Sequence, residues 1–116
     1  MQTLKPDTTY EWRNLSQLRE VSRQEDLATY LALPYPAGIY RIGPDTYRMI
    51  CQARVAPIAS FTLKGTENEV LSTAQVILTV LGYKSGPYGL KPPRKIDMDK
   101  AIRLQQHPIV VKAEEW

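Results

Sequence analysis

The chain has 116 residues, of which 43% are hydrophobic and 23% are charged, and its net charge is +3. These values are typical of one globular domain with a buried core, and they exclude a wholly disordered chain. Cys51 is the single cysteine, which excludes an internal disulfide and a zinc site built on paired cysteines. We therefore expect one domain over residues 1–116, with 1–9 and 113–116 frayed.

The charges are unevenly distributed along the chain. Residues 1–37 carry four Lys and Arg against five Asp and Glu, whereas residues 38–112 carry eleven against five. No acid lies between Glu69 and Asp97, although four basic residues fall there. Such an asymmetry favours an anionic partner, because it raises the encounter rate and supplies phosphate contacts. The alternative is an ordinary solvated surface.

Two short helices are predicted in the N-terminal part. Asn14 precedes residues 15–21 as a candidate N-cap. Ser22 and Glu25 form a capping-box pattern that opens a second helix over residues 23–33. The prolines that follow would end this second helix.

Three strands between residues 39 and 63 are predicted to form an antiparallel meander. A four-residue loop at Gly43–Thr46 would place Arg41 opposite Arg48, and a loop of three residues would shift every pairing by one. With the four-residue loop, the predicted core face carries Tyr40, Ile42, Tyr47, Met49 and Cys51.

A long helix is predicted over residues 67–81, opened by the capping-box pattern of Thr66 and Glu69. Its apolar residues cover more of its circumference than a helix on one side of a sheet needs. Val76 and Val80 form the extra flank. Either the helix is central to the core, or these two valines form an oligomer interface.

The C-terminal third is predicted to begin with an extended loop over residues 83–95, because Gly and Pro interrupt it repeatedly. Asp97 would cap a helix over residues 98–106, and residues 109–111 would form a last strand. The predicted fold class is α+β: a small antiparallel sheet packed with two short N-terminal helices, a long central helix and a short C-terminal helix.

The sequence contains no convincing combination of nucleophile, base and metal ligands. His107 is the single histidine and lies at a predicted helix end, where a surface or capping role is expected. Cys51 is predicted to be a buried apolar residue. We therefore predict no catalytic residue, no metal site and no cofactor, and we place an enzyme behind two kinds of binding protein.

The first functional hypothesis is a small intracellular binding module, non-enzymatic, for an anionic partner, with nucleic acid such as DNA preferred. Arginine grips phosphate and aromatic rings stack on bases, so basic and aromatic residues indicate the site. The predicted site residues are Arg41, Arg48, Arg54, Lys84, Tyr88, Lys91, Arg94 and Lys95. Two short helices before an arginine-bearing hairpin would also fit a winged-helix variant.

The second hypothesis is a protein–protein adaptor or a homodimer that uses the helix at 67–81. The N-terminus lacks the apolar run of a signal peptide, and no apolar run approaches the roughly twenty residues that span a bilayer. We therefore expect a cytoplasmic protein with no membrane partner.

Overall fold

The computed structural model describes residues 4–6, 8–23 and 36–116. Within these ranges the chain forms a six-stranded antiparallel sheet, a two-stranded sheet and two α-helices. The strands are β1 (Thr8–Asn14), β2 (Gln17–Arg23), β3 (Ala37–Gly43), β4 (Thr46–Cys51), β5 (Ala59–Lys64), β6 (Lys84–Gly86), β7 (Gly89–Lys91) and β8 (Val110–Glu115). The helices are α1 (Glu67–Val80) and α2 (Met98–Arg103), and a 3-10 turn over Leu104–Gln106 follows α2.

The strand order of the large sheet is β2-β1-β3-β4-β5-β8, and β6 pairs with β7 in the small sheet. Strands β3, β4 and β5 pair in sequence order, as the predicted meander requires. No helix in the described part of the chain is long and apolar enough to cross a bilayer.

The core lies between one face of the large sheet and α1. A continuous row of paired residues crosses five strands on this face: Tyr10, Ile39, Met49, Phe61 and Ala113. All five side chains are buried. The row exists because residues directly opposite each other in neighbouring strands point to the same face of a sheet.

Helix α1 contributes the other half of this core with Val70, Ala74, Ile77 and Leu78, which are fully buried. The predicted capping box is present, because Thr66 Oγ1 accepts from the backbone N–H of Glu69 and the Glu69 carboxylate accepts from the backbone N–H of Thr66. Gly82, with φ 96°, follows the helix in a conformation that favours glycine.

The predicted α+β fold class is wrong, because the described residues are mostly sheet with two helices, and the first predicted helix is absent from them. Residues 15–21 belong to the β1–β2 hairpin. Asn14 Oδ1 accepts from the backbone N–H of Ser16 at 2.9 Å. The asparagine that was interpreted as a helix cap thus closes a turn by the same side-chain chemistry.

The predicted second helix at 23–33 falls almost entirely outside the described residues. Ser22 and Arg23, which were predicted to open it, are the last residues of β2. The backbone of Ser22 pairs with that of Thr9.

The predicted register of the β3–β4 hairpin is wrong by one residue. Arg41 lies opposite Tyr47, and Arg48 lies opposite Tyr40. A register shift between Arg41 and Gly43 leaves Ile42 as an extra residue on β3. An extra residue of this kind is a β-bulge, which moves the preceding part of the strand by one position relative to its partner.

The bulge also changes which side chains of β3 face the core. Ile39 is buried in the core, whereas Ile42 is 43% exposed. Tyr40, which was predicted to face the core, shares the other face with Arg48. The β4 half of the prediction is correct, because Tyr47, Met49 and Cys51 are all buried in the core.

The segment at 83–95, predicted as an extended loop, contains the β6–β7 hairpin instead. Asp97 caps α2 as predicted, by accepting from the backbone N–H groups of Asp99 and Lys100. The helical region at 98–106 divides into α2 and the 3-10 turn. The last strand is longer than predicted and pairs with β5 at the edge of the large sheet.

Candidate functional site

Four of the eight predicted site residues surround one pocket, which we call the basic pocket. They are Arg54, Lys84, Lys91 and Arg94. The pocket has a volume of about 330 Å³, and its other lining residues are Gly82, Pro92 and Pro93. No acidic side chain lines it within the described part of the chain. A pocket lined by one sign of charge raises the local concentration of the opposite charge.

Two of these cations lie directly across from each other, because Lys84 pairs with Lys91 in the β6–β7 hairpin. Directly opposed side chains have Cβ atoms about 4.5 to 5.5 Å apart, so the two lysines repel each other. The ion pairs in the described ranges are Lys5–Glu20, Arg19–Glu11 and Lys112–Glu114. Within those ranges, therefore, none of the four pocket cations is neutralised by a carboxylate.

Tyr83 connects two of the segments that form the basic pocket. Its side chain is buried, and its hydroxyl donates to the carbonyl oxygen of Gln52 at 2.6 Å and lies 3.0 Å from that of Pro36. Gln52 is two residues before Arg54, and Lys84 follows Tyr83 directly. The buried phenol thus fixes the backbone on either side of the pocket.

A backbone hydrogen bond joins the two segments that carry the arginines of the pocket. The N–H of Val55 donates to the carbonyl oxygen of Arg94 at 3.2 Å. Pro92 and Pro93 join Arg94 to β7, and proline fixes the backbone φ angle at about −65°. The cations therefore project from backbone that is held by hydrogen bonds and by proline.

The β6–β7 hairpin is also attached to the first strand of the large sheet. The backbone N–H of Leu15 donates to Ser85 Oγ at 3.0 Å. Gly89 has a φ of 115°, and a Cβ at this position would lie 3.3 Å from the carbonyl oxygen of Arg13. Glycine is therefore required here both by its backbone conformation and by the close approach of β1.

Tyr88, in the hairpin turn, is fully exposed, with a relative accessibility of 101%. It lines a groove of about 640 Å³ on the β1–β2 side of the hairpin, which also contains Arg13. Arg13 is not among the site residues predicted from the sequence. The sequence signal that would have found it is the alternation of aromatic Tyr10 and Trp12 with charged Glu11 and Arg13, although Glu11 itself is buried and only Arg13 is exposed.

Three predicted site residues lie away from the basic pocket. Arg41 is paired with Tyr47, and Arg48 is paired with Tyr40. These two pairs are neighbours along the hairpin, and successive pairs point to opposite faces of a sheet, so Arg41 and Arg48 lie on opposite faces. They do not face each other. Lys95 lines a different depression, together with Asp97, Asp99 and Glu115.

Arg41 lies at the end of the sheet marked by the Pro44 turn. Its Nε donates to the carbonyl oxygen of Gly43 at 3.2 Å. Burial raises the pKa of the Tyr47 phenol, and the positive charge of Arg41 opposes that rise. Arg54 follows the opposite end of β4, so the length of that strand, roughly 20 Å for its six residues, separates the two arginines.

Arg48 and Gln52 each carry a buried nitrogen that lacks a hydrogen-bond partner among the described residues. The atoms are Arg48 Nε and Gln52 Nε2. A buried donor without an acceptor costs about 1 to 3 kcal/mol of stability. These two donors are local weak points of the fold.

Cys51 and His107, which carry the most reactive side chain types, are each held within the fold. Cys51 is fully buried, and burial raises the pKa of its thiol, which a hydrogen bond with Tyr83 opposes only partly. His107 Nδ1 accepts from the backbone N–H of Ile109 at 3.2 Å. In the described ranges, no group of three or more His, Cys, Asp or Glu side chains is placed to hold a metal ion.

The two valines of the predicted oligomer interface lie on the outer surface of α1. Val76 is 46% exposed and Val80 is 39% exposed. They are four residues apart and therefore adjacent on the helix surface. Their exposed neighbours on α1 include the polar side chains of Gln75 and Thr79.

Comparisons of the chain with protein-family models, curated proteins and solved structures found no match. Its function is therefore inferred from the side chains around the basic pocket and the β6–β7 hairpin.

Proposed function

We propose that the protein is a non-enzymatic nucleic-acid-binding module whose basic pocket holds the phosphate backbone. The observation that carries this proposal is the convergence of Arg54, Lys84, Lys91 and Arg94 on one pocket with no acidic lining residue in the described ranges. Sheet surfaces usually mix charges of both signs, and like charges directly opposed on a hairpin destabilise it. A bound phosphate offsets that repulsion.

The types of the four side chains suit phosphate. Arginine presents a planar group of N–H donors that matches two phosphate oxygens, whereas lysine acts as a compact point charge. The pocket combines two residues of each type. Because the backbone on both sides of the pocket is fixed by Tyr83 and by the Val55–Arg94 hydrogen bond, less conformational entropy is lost on binding.

A cytoplasmic location is part of the same proposal. Cys51 is a free, buried thiol, and unpaired cysteines are usual in reducing compartments. Nucleic acid as the partner is compatible with that compartment.

The proposal is tested by exchanging charges at the pocket and elsewhere. The first variant carries Lys84→Glu and Arg94→Glu, and the matched control carries Lys64→Glu and Lys100→Glu, which change the net charge equally at exposed positions outside the pocket. Binding to fluorescently labelled DNA and RNA oligonucleotides is measured by anisotropy at low salt. Circular dichroism shows that both variants are folded.

We expect the pocket variant to bind both oligonucleotides roughly 10- to 100-fold more weakly than the unmodified protein. The control should lose much less affinity, because only its net charge has changed. Equal losses in the two variants, or no binding by the unmodified protein at low salt, would contradict the proposal.

A second candidate function is a homodimer or protein adaptor that uses Val76 and Val80. Their exposure on α1 is the observation in its favour. Light scattering after size exclusion tests it. A dimer that dissociates on Val76→Asp would support it, and a monomer at high concentration would rule out the homodimer.

A further inference from the structure

We propose that Tyr88 is a stacking platform for a base of single-stranded nucleic acid. This inference rests on the proposed function and specifies its partner. Tyr88 lies in the turn of the β6–β7 hairpin, and its aromatic side chain is fully exposed. An aromatic ring in water has both faces free, and stacking on one base contributes to affinity with any of the four bases.

The backbone that carries Tyr88 is fixed although its ring is exposed. Pro87 precedes it, and Gly86 and Gly89 pair on either side of the turn. The β6–β7 hairpin is attached to the β1–β2 hairpin by the Leu15–Ser85 hydrogen bond and by the close approach of Gly89 to Arg13. An aromatic ring carried by a fixed backbone loses little conformational freedom on binding, because only its own side-chain angles have to be fixed.

The spacing along the hairpin relates Tyr88 to the basic pocket. The Gly86–Gly89 pair is two residues beyond the Lys84–Lys91 pair. Two residues of strand span about 7 Å. Neighbouring bases of one stacked strand are about 3.4 Å apart, so this distance corresponds to roughly two nucleotides. A strand whose phosphates contact the two lysines can therefore place a nearby base on Tyr88.

The groove beyond Tyr88 offers a continuation for the same strand. Arg13 lines it, is exposed and forms no ion pair within the described residues, whereas Glu11, which lines the same groove, is paired with Arg19. The hairpin thus carries the lysines of the basic pocket, and its turn residue Tyr88 borders the groove that holds Arg13. A surface that combines cations with an exposed ring suits a nucleic-acid strand, in which charged phosphates alternate with flat bases.

A duplex fits this arrangement less well. Inside a duplex both faces of every internal base are already stacked, so a side chain that protrudes from a turn finds a free face only at the ends. The phosphate contacts of the basic pocket are available in both forms. Single-stranded nucleic acid should therefore gain from Tyr88, whereas duplex should not.

The experiment separates contacts with bases from contacts with phosphates. The probes are a short single-stranded oligonucleotide of mixed sequence, an abasic strand with the same number of phosphates, and the corresponding duplex. The variants are Tyr88→Ala and Tyr88→Phe, and Lys84→Glu reports on the phosphate site. Affinities are measured by anisotropy at one low salt concentration.

We expect Tyr88→Ala to weaken binding of the mixed-sequence strand about 5- to 150-fold and to leave the abasic strand and the duplex nearly unchanged. Tyr88→Phe should retain the affinity, because its ring is kept. Equal effects of Tyr88→Ala on the mixed-sequence and abasic strands, or no effect on either, would overturn the stacking role.

The Lys84→Glu variant distinguishes the two possible failures. If it weakens binding of the abasic strand while Tyr88→Ala changes nothing, the phosphate site stands and the stacking inference fails. If the abasic strand is unaffected by Lys84→Glu, the proposed function itself fails, and the stacking inference fails with it.

Discussion

Lys84 lies directly opposite Lys91 across the β6–β7 hairpin, and neither ammonium group is paired with a carboxylate in the described part of the chain. The sequence pattern predicts two opposed cations in a different hairpin, at Arg41 and Arg48. The structure separates those two arginines and opposes two lysines that were assigned to a loop. The repulsion between Lys84 and Lys91 has measurable consequences.

Replacing one of the two lysines by an acid should stabilise the ligand-free protein. We expect Lys91→Glu to raise the free energy of unfolding by about 0.2 to 1 kcal/mol at low ionic strength, because the repulsive pair becomes an attractive one. The gain should shrink in molar salt, where such exposed charges are screened. Urea denaturation of the variant and of Lys64→Glu as a control measures both effects. A loss of stability at low salt would contradict the repulsion.

Tyr83 is predicted to support both the fold and the site. Tyr83→Phe keeps the ring but removes the hydroxyl that donates to the Gln52 carbonyl. We expect the free energy of unfolding to fall by about 1 to 3 kcal/mol, because a buried carbonyl oxygen loses its donor. Oligonucleotide affinity should fall as well. Tyr88→Phe is the matched control, since its exposed hydroxyl has no such role; equal stability of the two variants would refute this assignment.

The capping box of α1 predicts a specific acid dependence. The backbone N–H and hydroxyl of Thr66 lower the pKa of the Glu69 carboxyl below its ordinary value of 4.5. The unfolded chain therefore binds this proton more readily, so the contribution of Glu69 is present above pH 4.5 and is lost as the pH falls through the folded-state pKa.

Thermal unfolding of Glu69→Gln between neutral and acid pH measures this contribution. Since glutamine does not titrate, we expect the unmodified protein to be the more stable one at neutral pH and the difference to shrink below pH 4.5. A difference that stays constant over the acid range would show that the charge of Glu69 does not support the cap.

Gln52 Nε2, which has no hydrogen-bond partner among the described residues, predicts a stabilising substitution. Gln52→Met replaces the amide by an apolar group of similar length, while the backbone bonds of residue 52 remain. We expect the free energy of unfolding to rise by about 1 kcal/mol, because a buried donor without an acceptor is removed. Gln75→Met, on the exposed side of α1, should leave stability nearly unchanged. Destabilisation by Gln52→Met would mean that the amide has a partner.

Helix α1 could be predicted because its signals agree with each other. Its apolar residues recur at helical spacing over four turns, and Thr66 with Glu69 marks its start. The meander β3–β5 was also predictable, since each strand is long enough to show alternation. These elements place most of the core, and their side chains dominate its central row.

The N-terminal hairpin was missed because short-range chemistry is shared between helices and turns. Asn14 accepts a backbone N–H two residues ahead in a turn, as it would in a helix cap. Leu15 and Leu18 have helical spacing by coincidence. The alternation that includes Tyr10 and Trp12 covers too few residues to indicate a strand more strongly than that spacing indicates a helix. Only the pairing of β1 with β3, which joins distant parts of the chain, decides between the two.

The candidate site was predicted only in part, and the reasons are local. Arg54, Lys84, Lys91 and Arg94 were selected by charge alone, and the β6–β7 hairpin brings them together. Strands of three residues have no periodicity that a sequence could reveal. The error in the predicted pairing of Arg41 with Arg48 has a different origin. One bulged residue, Ile42, shifts the register of a hairpin that is otherwise predicted correctly.

The salt dependence of oligonucleotide binding tests the phosphate site most directly. For single strands, the slope of log K against log salt concentration is about −0.7 for each phosphate neutralised. Replacing Lys84 and Lys91 together by glutamine removes two charges from the pocket without reversing them. We predict a slope shallower by about 1.4 than that of the unmodified protein. An unchanged slope with unchanged affinity would show that the two lysines do not contact phosphate.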